Sequence, residues 1–200
     1  ASGSRAYTRT LFFVLCKAVQ DIYPNTDVVI DIPVSNGFYV DIRLGRPVVD
    51  EDVNILRRRM QEIIDSKMPI RRFTVPTEEA IALFQEKGDV EKVKLLRTSG
   101  SIYTTYYKIG EYVDYYYGTL LTNTSQLYLF GLEKYYDGML LRIPSVSNPD
   151  ELGEMTRQDK MFDIFKEHHR WQEILGIRTV GDFNQAIDCL LYTSDAADER

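Results

Sequence analysis

Apolar residues recur at helical spacing over residues 5–22, where Leu11, Val14, Leu15, Ala18, Val19 and Ile22 share one face. Pro24 follows, at a place where helices commonly stop. The period then shortens. Residues 28–32 and 38–42 read as two strands joined by Pro33-Val34-Ser35-Asn36-Gly37, because Asn-Gly tolerates positive φ and marks a turn. Asp50 is placed to cap a second helix running to about residue 67, with Val53, Leu56, Met60, Ile63 and Ile64 on its buried face. Residues 70–75 read as a short strand and 77–87 as a third helix closed by Gly88, followed by a short apolar stretch at 93–96. Residues 102–107 and 112–117 read as β around Gly110, and 127–132 with 139–143 as another pair broken by Asp137-Gly138. From Asp150 the character changes. Met161, Phe162, Ile164, Phe165, His168, Trp171 and Leu175 predict an amphipathic helix ending at Gly176, with Thr179 or Asp182 placed to cap one more short helix. No internal repeat is present. The pattern predicts an α+β fold, an antiparallel sheet packed with helices.

The last residues break with this composition. Cys189-Leu190-Leu191-Tyr192-Thr193-Ser194-Asp195-Ala196-Ala197-Asp198-Glu199 reads as the conceptual translation of a transposase-based sequencing adapter, so residues 188–200 are set apart as non-native. Residues 1–5 carry neither an initiator Met nor a signal-peptide core, and the start is read as internal to a gene.

Composition narrows the function classes. An apolar fraction of 44% and a charged fraction of 27% are those of a soluble globular protein. The net charge of −6 argues against broad binding to phosphate backbones, although it leaves room for a local basic patch. No apolar run approaches the roughly 20 residues that span a bilayer. Cys16 and Cys189 make no disulfide framework, and a reducing, cytoplasmic setting follows. Of the 14 tyrosines, Tyr103, Tyr106, Tyr107, Tyr112, Tyr115, Tyr116 and Tyr117 crowd one stretch, where strand packing is the expected role and base stacking the alternative.

Catalytic constellations are missing. A P-loop needs Gly-Lys-Ser/Thr to cradle phosphates, and none of the 12 glycines is followed by lysine. His168 and His169, the only histidines, point about 100° apart on a helix and cannot chelate one metal together. Cys16 sits beside the apolar face of the first helix, where cysteine is commonly buried and inert. Arg57, Arg58 and Arg59 fan around a helix, and Arg71 and Arg72 point to opposite faces of a strand, so a solvated surface is the default for both.

One segment is specific. Asn36-Gly37-Phe38-Tyr39-Val40-Asp41-Ile42, with Tyr23-Pro24 before it and Glu51-Asp52-Val53 after it, resembles the second additional domain of threonyl-tRNA synthetase, which is shared with alanyl-tRNA synthetase. The likeness runs from about Thr8 to Leu96, resumes at Glu111-Tyr112-Val113-Asp114 and ends near Gly118. It implies an editing-like fold. In that family the domain hydrolyses mischarged aminoacyl-tRNA at a His-x-x-x-His helix plus a later Cys and His, a nitrogen and sulfur set suited to zinc. Here those four positions are Arg9, Phe13, Tyr116 and Leu120, none of them a zinc ligand. The resemblance therefore implies a retained scaffold without a metal, a cofactor or a catalytic residue.

The whole region, including the ending Arg170-Trp171-Gln172-Glu173-Ile174-Leu175-Gly176-Ile177 and Gly181-Asp182-Phe183-Asn184-Gln185-Ala186-Ile187, resembles the N-terminal portion of bacterial nucleoside kinases of the uridine kinase type. That likeness divides the chain into an editing-like domain, 1–148, and a helical connector, 149–187, leading to a P-loop kinase domain that would use Mg-ATP on uridine or cytidine. The expected partner is then that kinase domain or a second copy of the chain, with nucleic acid not favoured and no membrane. The rival reading is an RNA- or nucleotide-binding regulatory module that reuses the old cleft, with Arg9 and nearby tyrosines as contacts.

Overall fold

A computed structural model of the 200-residue chain describes residues 2–34, 37–115, 118–145 and 147–152. Tyr116 and Tyr117, the helix expected at 161–175 with His168, His169 and Trp171, nearly all of the expected connector, and residues 188–200 lie outside the described residues.

The architecture is α+β, as the periodicity predicts. Helix α1 (Ser2–Ile22) is followed by strands β1 (Val28–Val34) and β2 (Gly37–Ile42), helix α2 (Asp50–Asp65) and strand β3 (Arg71–Pro76). Helices α3 (Thr77–Glu86) and α4 (Val90–Thr98) precede β4 (Tyr103–Ile109), β5 (Tyr112–Tyr115), β6 (Gly131–Tyr135) and β7 (Gly138–Arg142). Among the described residues the strands form two antiparallel sheets rather than one: β1-β2-β7-β6, and β3-β4-β5.

Helix α1 holds the sheets together. Its sequence predicts one apolar face, but Leu11, Phe12, Phe13, Val14 and Leu15 are all fully buried and Thr10 with them. A helix apolar all round is a core element. Phe12 meets Phe38 of β2 edge to face at 4.9 Å, and Phe13 meets Tyr112 of β5 at 5.1 Å, so adjacent α1 residues face different sheets. The polar residues that α1 buries are provided for. Thr10 Oγ1 donates to Ala6 O at 2.6 Å and accepts from the Leu121 N–H at 2.9 Å. Lys17 pairs with Asp21, which also takes Arg59 of α2 at 2.8 Å.

Helix α2 adds Val53, Leu56, Met60, Ile63 and Ile64 to the same core, as expected. Its cap differs. The N-cap is Val49, and Asp52, three residues on, accepts the Val49 N–H at 2.9 Å. The same carboxylate takes Arg46 through both nitrogens, at 2.8 and 2.9 Å, and the Tyr23 hydroxyl at 2.6 Å. Asp50 is simply the first helical residue, where an acidic group favours the positive end of the helix dipole.

Two further elements depart from expectation. The short apolar stretch at 93–96 belongs to α4, whose N-cap Asp89 accepts the Lys92 N–H at 3.1 Å after Gly88 turns the chain at φ +76°. Residues 127–130 are not strand. Asn123 and Gln126 side chains cap a tight turn at Thr124–Gln126 and hold the backbone of 122–125, so β6 starts only at Gly131.

Candidate functional site

Arg9 and Phe13 stand one turn apart on α1, and the 118–121 segment runs along that part of the helix. Arg9 Nη1 donates to Thr119 O at 2.9 Å, and its guanidinium lies so close to Gly118 that a Cβ there would sit 2.1 Å from Cζ. Phe13 is fully buried against Tyr112. Leu120 is 4% exposed, and its N–H reaches the Tyr107 hydroxyl at 3.3 Å. The structure thus brings Arg9, Phe13 and Leu120 to one place, while Tyr116 lies outside the described residues. A guanidinium, a phenyl ring and an isobutyl group offer no lone pair to a metal. Their positions fit an apolar core with one cation at its rim.

Sequence reasoning missed the strongest polar contact. Lys92 of α4 and Asp114 of β5, each 4% exposed, form an ion pair inside the fold. Asp114 also takes the Tyr112 hydroxyl at 3.1 Å and the Tyr115 N–H at 2.7 Å, and the ammonium lies 5.8 Å from the Tyr115 ring centre. A lone acid in a strand otherwise built from aromatic and branched residues, Tyr112-Val113-Asp114-Tyr115, is a signal for such a partner.

This pair borders a cleft of about 440 Å³ also lined by Cys16, Gln20, Asp27 and Asp89. Burial pushes the Asp89 carboxyl above its usual range and the Cys16 thiol well above the ordinary thiol value. Cys16 is 7% exposed and stays protonated at neutral pH, in keeping with its expected inert role. Lys92, already paired with Asp114, is not an available nucleophile. Among the described residues no cluster of three His, Cys, Asp or Glu side chains could hold a metal.

The arginine triplet is divided as the helix geometry predicts. Arg57 reaches Leu132 O of β6 at 2.8 Å, Arg59 joins Asp21 and Glu62, and Arg58 is exposed. Arg71 and Arg72 are both exposed at the start of β3. None of the described helices is long and apolar enough to cross a membrane.

The fold is α+β with antiparallel sheets, and its threonine--tRNA ligase relatives support an editing-like domain. The chain is 31% identical to the threonine--tRNA ligase of Syntrophotalea carbinolica over 179 residues, 84% of this chain and 28% of that protein. It is 34% identical to the corresponding ligase of Acetivibrio thermocellus over 131 residues, 65% of this chain and 21% of that one. With the ligase of Azobacteroides pseudotrichonymphae it shares 32% over 165 residues. The chain spans 28% or less of the length of these relatives. No family model matches.

These matches correct the nucleoside kinase reading. They are to threonine--tRNA ligases, and nothing in the comparisons points to a uridine kinase. The kinase reading covers the whole region, its ending at 170–177 and 181–187 included, and none of that region carries phosphate-binding chemistry. The expectation of an ATP-dependent parent with its own C-terminal kinase domain loses the reading it rested on. The synthetase-like part of the reading stands.

Proposed function

We propose that this domain is an RNA-binding regulatory module, directed to tRNA and derived from a tRNA-editing domain that has lost its metal site. The observation that carries the reading is the pairing of two facts. The relatives are threonine--tRNA ligases, and the positions that the family resemblance assigns to the editing ligands are Arg9, Phe13, Tyr116 and Leu120. Hydrolysis of mischarged tRNA in the family's manner needs a metal held by nitrogen and sulfur, and this set supplies neither. What remains is a scaffold with one cation, Arg9, at its rim and a tyrosine-rich sheet, a composition suited to holding nucleic acid without acting on it.

Titration of the chain with unfractionated tRNA at 50 and 200 mM salt tests the reading. Binding that weakens with salt is expected, because each phosphate contact releases counterions. Absence of binding at both concentrations overturns it. Metal analysis of the purified chain provides a second check, since stoichiometric zinc would restore a hydrolytic reading.

A further inference from the structure

We infer that the open end of the three-stranded sheet is a stacking platform for single-stranded RNA, an inference that rests on the RNA-binding reading above. The register puts Arg72, Thr74 and Pro76 of β3 opposite Tyr107, Thr105 and Tyr103 of β4. Side chains paired in this way share a face, and the Thr74 and Thr105 hydroxyls, 2.9 Å apart, show it directly. The face has two ends. At one, Tyr107 is 2% exposed and belongs to the main core. At the other, Tyr103 is 65% exposed, with Pro76 and Thr74 exposed along β3, and Arg72, the partner of Tyr107, is exposed farther along the same strand. The opposite face is backed by α3 and α4 through Val75, Tyr106, Val113 and Tyr115, so the open end is held by a packed layer.

Charge selects the occupant. The chain as a whole carries −6, but the face that bears Tyr103 carries Arg72 against a single carboxylate, Asp114, which Lys92 already neutralises, while Arg71 and Lys108, paired with each other, stand on the opposite face. Among the described residues no carboxylate pairs with Arg71 or Arg72. A flat aromatic ring in water, two hydroxyls and an arginine on one rigid strand pair suit an unstacked base and its phosphate. Arg72 lies four residues along β3 from Pro76, the partner of Tyr103, a span of roughly 13 Å at about 3.3 Å per residue. Ring and cation therefore engage successive nucleotides rather than one. The former metal position is not the platform, since Phe13 and Leu120 are closed to solvent.

The test uses the full chain and a labelled single-stranded RNA of about 12 nucleotides, within the site sizes of such platforms, with a duplex of the same sequence alongside. Tyr103→Ala is expected to weaken single-strand binding about tenfold, the effect of losing one stacked base, and Tyr103→Phe to leave it near wild type. Arg72→Ala should weaken binding and flatten its salt dependence by about one phosphate contact. Arg58→Ala, on exposed α2, is the control and should change little. Wild-type binding that is insensitive to both Tyr103→Ala and Arg72→Ala overturns the platform while leaving the RNA-binding reading intact. Equal affinity for the duplex overturns the stacking mode. Failure of the wild-type chain to bind tRNA or the oligonucleotide removes both.

Discussion

The four-stranded and three-stranded halves of this domain bury their interiors by different chemistry. Around β1, β2, β6 and β7 the core is apolar, with Phe38, Val40, Leu132, Met139 and Leu141 packed into the cluster that α1 and α2 complete. Around β3, β4 and β5 the separate cluster is small, with Ala80, Ile81, Phe84, Leu96 and Tyr115, and it lies beside the buried Lys92–Asp114 pair. Apolar packing tolerates substitution by degrees. A buried ion pair does not, because removing either partner strands a charge in a medium that solvates it poorly. The three-stranded half, which also carries the exposed end of the sheet, is therefore the more brittle of the two.

The sharpest way to break this comparison is Lys92→Ala, which leaves Asp114 uncompensated and is expected to cost about 3–5 kcal/mol in urea unfolding. Replacing both partners, Lys92→Met with Asp114→Leu, should recover most of that loss. If the single and double variants are equally unstable, the pair is not the determinant. In the apolar core, Leu120→Ala should cost about 3 kcal/mol through lost burial and the cavity left behind, and it should do so with no dependence on added zinc.

The next effect is electrostatic. Arg46 above all, with the Tyr23 hydroxyl, holds the Asp52 carboxyl well below the usual carboxylate range. A carboxylate depressed in the folded state contributes stability above its unfolded pKa, near 3.9, and loses it as the pH falls toward the folded value. Wild-type stability should thus decline below about pH 4, and Asp52→Asn should reduce stability at neutral pH by about 2 kcal/mol and shallow the acid limb. An unchanged acid limb would show that other carboxylates govern it.

The smallest expected effect comes from a matched pair of glycines. A Cβ at Gly138 would meet Val40 O at 2.6 Å and the Tyr39 ring, so Gly138→Ala must shift backbone within the four-stranded sheet. The atoms nearest a Cβ at Gly118 are those at the end of the flexible Arg9 side chain, whose bond to Thr119 O would have to shift. Gly118→Ala is expected to change stability by less than about 0.5 kcal/mol, and Gly138→Ala by clearly more. The reverse order would mean that Arg9 is fixed at Gly118 by more than contact.

What the sequence revealed follows the same division. The periods of α2 and α3, the strand pair around Asn36-Gly37 and the β4–β5 pair are legible in the sequence pattern, and α1 is legible from one apolar face although the fold buries it all round. Helix α4 was not legible, since its short amphipathic pattern carries only Leu96 into the core as an apolar residue, and its cap at Asp89 speaks more clearly than its period. The strand expected from Leu127 fails because burial of Leu127 alone does not make a ladder, and the Asn123 and Gln126 side chains hold the backbone in a turn just before it. The convergence of Arg9, Phe13 and Leu120 was readable from the family resemblance. The partnership of Lys92 with Asp114 was not, because 22 residues separate them and only the folded sheet brings them together.

Helix α1 has a consequence for synthesis. Its apolar run, residues 11–15, comes out of the ribosome well before the strands that enclose it, and β7, which supplies Met139 and Leu141, follows more than 110 residues later. At about 5–20 residues per second, the future centre of the domain waits on the order of ten seconds in an unfinished chain. Over that interval the segment that will be most protected is the one most open to capture by holdase chaperones, and a ribosome paused before residue 138 would present it as an adhesive tail.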